Sequence, residues 1–294
     1  MAPMVASIIN GKERADKLCA ELKTKIEILF AKNRVIPGLA VVLVGDDPSS
    51  IIYVQNKIKK AKEIGINIFD ITFPSSVSER ILKAKLEQLN NDQRVHGVLL
   101  QLPLPSSLDK FQILDTINSD KDVDGFTTRN IGLLRSGREC LEPCTPRGAM
   151  ILIKEALGAD LSGKKAVVVG RSMIVGRPMA SMLLKENCSV TVLHSQSVDI
   201  EKECREADIL ISAVGQPNLI KASMVKQGAC VIDVGITRSE GKLHGDVMYD
   251  EVSKVAGFIT PVPGGVGPMT VACMLENTVM AACNLKNILY RSLK

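Results

Sequence analysis

The stretch Lys165–Pro178 reads KAVVVGRSMIVGRP. Its first half is a β-branched apolar run that stops on Gly170, the pattern of a strand buried on both faces. A glycine-containing loop and a helical pattern to about residue 187 follow. Strand, glycine turn and helix in that order offer free backbone N–H groups and the positive end of a helix dipole to a pyrophosphate. Against the G-x-G-x-x-G pattern, Ser172 stands in the second glycine position and Val175 in the third. Two readings fit: a dinucleotide loop, or a tight strand-to-helix turn without a ligand.

The same alternation extends on both sides. Downstream, the runs 189–194, 208–215 and 229–235 read as strands, and 198–206 and 221–227 as helices, a Rossmann-like series. Upstream, Pro143-Cys-Thr-Pro146 precedes a helix over 147–158. Before it, Leu18, Leu22, Ile26 and Leu29 give residues 11–34 one apolar helical face. LAVVLVG (39–45) and INIFDITF (66–73) are strands and VHGVLLQLPLP (95–105) is a strand running into a Pro-rich turn, with helices over 48–64 and 78–90 between them. A helix over 109–118 and a polar loop over 119–128 complete a βαβαβ-type unit, and the Gly/Pro loop 260–268 leads into a long helix over 269–289. The fold class is therefore α/β: two α/β domains, the second Rossmann-like.

Composition narrows the function. The 294 residues suit two domains. Net charge is +5 with Lys and Arg spread along the chain, aromatics are 3%, and Trp is absent, which argues against nucleic acid as a partner. Mean hydropathy is +0.15, yet no apolar run reaches the ~18 residues of a membrane helix. The eight cysteines form no Cys-x-x-Cys pair and the three histidines are scattered, so no metal site is expected and a reducing, cytoplasmic location fits. MAPMVASIIN (1–10) lacks a basic or Arg-rich pattern, so neither a signal nor a transit peptide is expected.

Five places carry chemistry. Gly170, Arg171 and Ser172 form the first. The next strand ends His194-Ser195-Gln196-Ser197, without the acid that would hold a ribose 2′-OH, so Arg171 favours a 2′-phosphate and NADP over NAD. The alternative is that Arg171 is a solvated loop charge. Tyr53 and Lys57, four apart, share a helix face and border the stripe of Ile51, Val54, Ile58 and Ala61. A lysine partly withdrawn from water there becomes usable as a base or proton shuttle, but Lys57, Lys59, Lys60 and Lys62 also read as an ordinary solvated run. Gln101 closes a strand, where it could orient a water or amine or simply cap the strand end. Asp124, before Gly125, is a turn residue or a carboxylate for a donor-rich heterocycle. Pro261-Val-Pro-Gly-Gly-Val-Gly-Pro268 is a shaped loop suited to close approach of a ligand or to a hinge.

Taken in order, Tyr53-Val-Gln-Asn-Lys57, Gln101-Leu-Pro-Leu-Pro105, Asp122-Val-Asp124-Gly125, Pro143-Cys-Thr-Pro146, Gly170-Arg-Ser172 with Val175-Gly176 and Pro178, and Pro261 to Thr270 resemble the bifunctional methylenetetrahydrofolate dehydrogenase/cyclohydrolase family over essentially the whole chain. The resemblance implies NADP-dependent oxidation of 5,10-methylenetetrahydrofolate and hydrolysis of the methenyl product to 10-formyltetrahydrofolate. It implies a folate-binding catalytic domain over 1–146, joined by the C-terminal helix 269–294, and a Rossmann-like dinucleotide-binding domain for NADP over 147–268, with an interdomain cleft. Tyr53 would stack on the folate rings, Asp124 would bond the pterin, and Lys57 would serve the cyclohydrolase step with Gln101 tuning it. Gly170, Arg171, Ser172, Ser195 and Ile236 would contact NADP, and Pro263, Gly264 and Gly265 would wall the folate site. Some members lack the lysine and only dehydrogenate; with Lys57 present, both activities are implied. No ligase domain is expected after the last helix. The implied partners are tetrahydrofolate derivatives and a second copy of the chain, with neither nucleic acid nor membrane. A different Rossmann dehydrogenase acting on a small acid, or a non-catalytic binding module, are the competing readings.

Overall fold

The computed structural model describes residues 5–239 and 241–293; residues 1–4, part of the stretch read for targeting signals, lie outside the described residues. In chain order, β1 (Ser7–Ile8), α1 (Gly11–Asn33), β2 (Gly38–Val44), α2 (Pro48–Glu63), β3 (Asn67–Phe73), α3 (Glu79–Asn91), β4 (Gly97–Leu100), α4 (Lys110–Leu114) and α5 (Thr128–Arg135) precede Pro143. Then come α6 (Cys144–Leu157), β5 (Lys165–Val169), α7 (Gly176–Lys185), β6 (Ser189–Leu193), α8 (Ile200–Arg205), β7 (Ile209–Ser212), β8 (Cys230–Asp233), the hairpin β9 (Thr237–Ser239) and β10 (Lys242–His244), α9 (Tyr249–Val252), β11 (Phe258–Ile259) and α10 (Val266–Leu285). These form two units: Lys17–Glu142 with the residues from Met274 on, and the residues up to Asp16 with Pro143–Cys273.

The first unit is a parallel sheet in the order β3-β2-β4. β2 lies between its neighbours, and all seven of its residues are buried, which is why it reads as unbroken Leu, Ala and Val. β3 is an edge strand whose residues are only half-buried or exposed, so the expectation of strands covered on both faces fails there. Beyond β4 the chain 119–128 proves to be polar in composition but not in surroundings. Val98 N–H donates to Lys121 O at 2.7 Å, and a parallel bridge joins Val98 to Asp122. Lys121 is buried and donates to the carbonyls of Leu89 and Asp92, closing the end of α3. Its pKa is lowered by burial. Thr127, unread in the sequence, caps the unexpected helix α5. Asn277 of α10 donates to Val123 O at 2.9 Å and Glu142 O at 2.8 Å, fixing the loop that carries Asp124.

The second unit is a six-stranded sheet in the order β1-β11-β8-β7-β5-β6, every pairing parallel. β6 follows β5 on one side and β7 lies on the other. The direction of winding therefore reverses between β5 and β7, and a crevice opens outside their carboxyl ends. Val167, Val169, Leu210, Val231 and Ile259 line one core face. Ser7 and Ile8 pair with Phe258 and Ile259. Residues 5–16 thus belong with this unit, a departure from the boundary that put 1–146 in one domain. Two residues are too few for a strand to show as a pattern.

Other boundaries move for local reasons. α6 begins at Cys144 rather than 147, because Pro146 sits in the first turn, where its missing N–H is not needed. α10 begins at Val266 and takes Gly267 and Pro268 into its first turn. The helix expected over 221–227 is a single 3₁₀ turn, Ala222–Met224. By length and composition α10 could cross a membrane, which the sequence reading did not anticipate; 72% of its apolar window is buried within the protein. It carries buried Glu276, Asn277 and Thr278, the pattern of a core helix.

Candidate active site

In the first unit, α2 starts just beyond the carboxyl end of β2, with Asp47 accepting the Ser50 N–H at 2.7 Å and Pro48 in the first turn. Val54, Lys57 and Ala61 are buried on one face of α2. Lys57 lies on the core face itself rather than on its border, with 6% of its surface exposed. The basic run divides there: Lys59 and Lys62 are exposed, and Lys60 pairs with Glu63 at 3.6 Å.

Lys57 Nζ donates to Gln101 Oε1 at 3.0 Å. Gln101 follows β4 and stays in register through its N–H to Val42 O, 2.9 Å. Its Nε2 donates to Leu102 O at 2.6 Å, which orients Oε1 toward the lysine. The ammonium lies 5.3 Å from the centre of the Tyr53 ring, within cation–π range. Tyr53 is 39% exposed, so part of its ring is open. Burial around the hydroxyl, and then the charge of Asp124, raise its pKa above the ordinary tyrosine value. Tyr53, Lys57, Gln101 and Asp124 therefore come from a helix, a strand end and a loop of one unit.

The structure also separates the two aspartates of the Asp122-Val-Asp124 motif. Asp122 is buried and accepts from Gly125 N–H (3.0 Å), Thr127 N–H (2.8 Å) and Asn130 Nδ2 (3.0 Å), so it organises the loop. Asp124 is half-buried, and its charge acts on the Tyr53 hydroxyl.

In the second unit, Gly170 ends β5 with φ +120°, and a Cβ there would overlap Ala213 O. Only glycine tolerates both conditions. The third close approach is made by Gly176 rather than by Val175. A Cβ on Gly176 would run into Gly170 O and lie 2.9 Å from Arg171 Cα. Ser172 Oγ accepts the N–H groups of Val175 and Gly176 at 3.2 and 3.3 Å. Arg171 and Ser172 are exposed above this turn. Beyond β6, His194 Nδ1 accepts Gln196 N–H at 3.2 Å and Ser197 Oγ accepts His194 N–H at 3.0 Å, leaving Ser195 exposed at the bend. Ile236, after β8, is 49% exposed. A glycine cradle with an exposed cation and hydroxyls, and no carboxylate at the end of β6, fits a dinucleotide carrying a 2′-phosphate.

Pro263, Gly264 and Gly265 belong to this unit. Gly264 has φ +105° and its carbonyl accepts Lys12 N–H at 2.9 Å, while a Cβ on Gly11 would overlap Gly265 O and one on Gly265 would overlap Pro261 O. The glycines of this loop thus serve packing on the start of α1, and Pro263 remains exposed.

Two buried carboxylates went unread in the sequence. Asp233, at the end of β8, accepts from the N–H groups of Gly235, Asp246 and Val247, each at 3.0 Å. Asp246 accepts from Ser212 Oγ (2.9 Å), Val214 N–H and Gln216 N–H (both 2.8 Å). An acid ending the otherwise apolar run ACVIDVG was the available signal, since a buried carboxylate must collect donors.

The tetrahydrofolate dehydrogenase/cyclohydrolase catalytic-domain model matches residues 9–124, and the NAD(P)-binding-domain model of the same family matches residues 143–286. A relative from Ehrlichia canis, named bifunctional protein FolD, is 52% identical over 291 residues, covering 97% of each chain. The crystal structure of the Campylobacter jejuni bifunctional enzyme FolD, a methylenetetrahydrofolate dehydrogenase/cyclohydrolase, superposes with a TM-score of 0.93 at 47% identity, covering 95% of this chain and 99% of that one. The Trypanosoma brucei methylenetetrahydrofolate dehydrogenase-cyclohydrolase, solved with NADP cofactor and inhibitor, gives 0.91 at 36% identity, covering 96% and 99%.

Proposed function

This chain belongs to the tetrahydrofolate dehydrogenase/cyclohydrolase family, and from that membership we infer that it oxidises 5,10-methylenetetrahydrofolate with NADP and hydrolyses the methenyl product to 10-formyltetrahydrofolate. The observation that carries both steps is a buried lysine bonded to Gln101 beside Tyr53 and Asp124, on a chain that also holds a glycine-built dinucleotide turn.

NADP, when bound, accepts a hydride from the carbon that bridges the two folate nitrogens, and the substrate becomes a cation delocalised over both. Gly170 and Gly176 let the backbone approach the pyrophosphate, and Arg171 with Ser195 takes the 2′-phosphate. Tyr53 offers its open face to the folate ring, where an offset stack is favourable, and Asp124 accepts from the pterin N–H groups. These contacts work by placement: holding carbon and acceptor in reaction geometry removes the entropic part of the barrier.

In the second step water adds to the cationic carbon and loses one proton, and one carbon–nitrogen bond opens as the departing nitrogen takes up the remaining hydroxyl proton. Lys57 Nζ handles that proton, and Gln101 Oε1 holds the amine in place. Ile236 contacts the cofactor, and Pro263, Gly264 and Gly265 offer a wall to the folate.

The enzyme works as a cytoplasmic homodimer on soluble folates, without nucleic acid or a membrane. Support for the dimer is the open edge of β6, whose Val192 is 36% exposed and whose outer flank has no strand beside it among the described residues. Purified protein mixed with methylenetetrahydrofolate and NADP tests the chemistry. Reduced cofactor should appear first, then the methenyl absorbance should decay. No reduction of NADP would overturn the proposed function.

A further inference from the structure

The two aspartates unread in the sequence interlock. A side chain at Gly235 would overlap the Asp246 carboxylate, and one at Gly245 would overlap the Asp233 carboxylate. Each acid is therefore packed against the glycine beside the other. Both are buried, Asp246 completely.

All three donors to Asp246 and one of the three to Asp233 lie at the end of β7 or on the chain leaving β7 and β8; the other two donors to Asp233 are the N–H groups of Asp246 and Val247. Asp246 takes the N–H groups of Val214 and Gln216 and the hydroxyl of Ser212, the last residue of β7. Asp233 takes Gly235 N–H two residues after β8 begins its exit, and Thr237 Oγ1 donates to Gly215 O at 3.0 Å, tying the two exits together. These exits are the wall opposite the Gly170 turn. A Cβ on Gly170 would overlap Ala213 O and stand 3.4 Å from Val214 Cγ1, so the Val214 segment lies directly against that turn. Val214 and Ile236 each keep more than a third of their surface exposed, although the backbone beneath them is pinned.

We propose that Asp246, braced by Asp233, is a positioning residue for the dehydrogenase reaction: it sets the width of the crevice between β5 and β7 and presents Val214 and Ile236 to the dinucleotide. The physical reason is specific to a carboxylate: its two oxygens accept from two backbone N–H groups and a hydroxyl at once. An amide in the same place has one acceptor oxygen and would turn an NH₂ toward an N–H. This inference rests on the NADP reading above.

The test is Asp246→Asn in the full chain, assayed three ways. The affinity for NADP should fall about tenfold or more, as expected when a buried N–H group is left without its acceptor. Hydrolysis of added methenyltetrahydrofolate, measured without cofactor, should stay within about twofold, because Lys57 and Gln101 lie in the other unit. The ratio of NADP to NAD affinity should not move, because the 2′-phosphate residues are elsewhere. An NADP affinity unchanged in the folded variant overturns the proposal, and so does a loss of both activities in step, which would make the acid a general stabiliser. If the Asn variant does not fold, Ser212→Ala decides: it removes one of the three donors, and NADP affinity should fall about threefold; no fall overturns the proposal. Wild-type protein run alongside separates this from failure of the proposed function, which would show as no NADP reduction at all.

Discussion

At Lys57 a charged side chain is buried and another side chain, Gln101, holds it. At the Gly170 turn the arrangement is reversed: Arg171, Ser172 and Ser195 are exposed, and what is tightly packed is backbone against backbone. The difference follows from the tasks proposed for the two places. A group that moves a proton must point in one direction and be shielded from competing water. A turn that receives phosphates needs accessible N–H groups and cations, so its precision lies in glycines rather than in side chains.

The largest effect should come from Lys57→Met. Hydrolysis of the methenyl compound should fall about 10²- to 10⁴-fold, while NADP affinity, measured by titration, stays unchanged. An equal loss of NADP affinity would break the contrast, since it would make Lys57 a structural residue. Gly170→Ala should do the reverse. Its φ of +120° and the overlap with Ala213 O force the backbone to move, costing about 10- to 100-fold in NADP affinity with hydrolysis intact. If hydrolysis fell equally, the two regions would not be separable.

Arg171→Ala sharpens the comparison on the exposed side. Preference for NADP over NAD should drop about tenfold, and the remaining NADP affinity should depend less on salt. An unchanged preference would remove Arg171 from the 2′-phosphate site.

The smallest effects concern stability, where the two units should respond to pH in opposite directions. His96, in the first unit, has its pKa lowered to about 4, by burial first and then by the charges of Lys286 and Lys121. The unfolded chain binds the proton more readily, so stability is present above the ordinary value of 6.5 and is lost as pH falls toward 4. Asp233, in the second unit, is pushed up to about 6 by burial, with the Asp246 charge adding and three backbone N–H groups opposing. Here the folded chain binds the proton more readily, so stability rises as pH falls from 6 toward 3.8. Urea midpoints across this range should show His96→Asn removing about 1 kcal/mol of loss and Asp233→Asn removing about 1 kcal/mol of gain. Variants that shift the curve in the same direction would refute the opposition.

Much of the architecture was readable. Strands buried on both faces are unbroken apolar runs, and β2, β5, β7 and β8 all read that way. Elements that are short or made by partners were not. β1 is two residues given shape by β11, and α5 depends on a Thr127 cap that resembles any loop threonine. At the site, residue types and element ends were legible. Which of Asp122 and Asp124 is taken up by the loop's own donors, and whether Gly176 or Val175 meets Gly170, were not.

The chain's own order of residues determined the alternation of strand and helix, the glycine turn at Gly170, and the presence of Tyr53, Lys57, Gln101 and Asp124, because periodicity and backbone permissiveness are local properties. Tertiary structure alone decided that Lys57 is buried and meets a glutamine 44 residues away, and that Asp233 and Asp246 share a network. Burial and pairing depend on what packs from distant parts of the chain, and a carboxylate or an amine has no fixed role until its donors, acceptors and access to water are set.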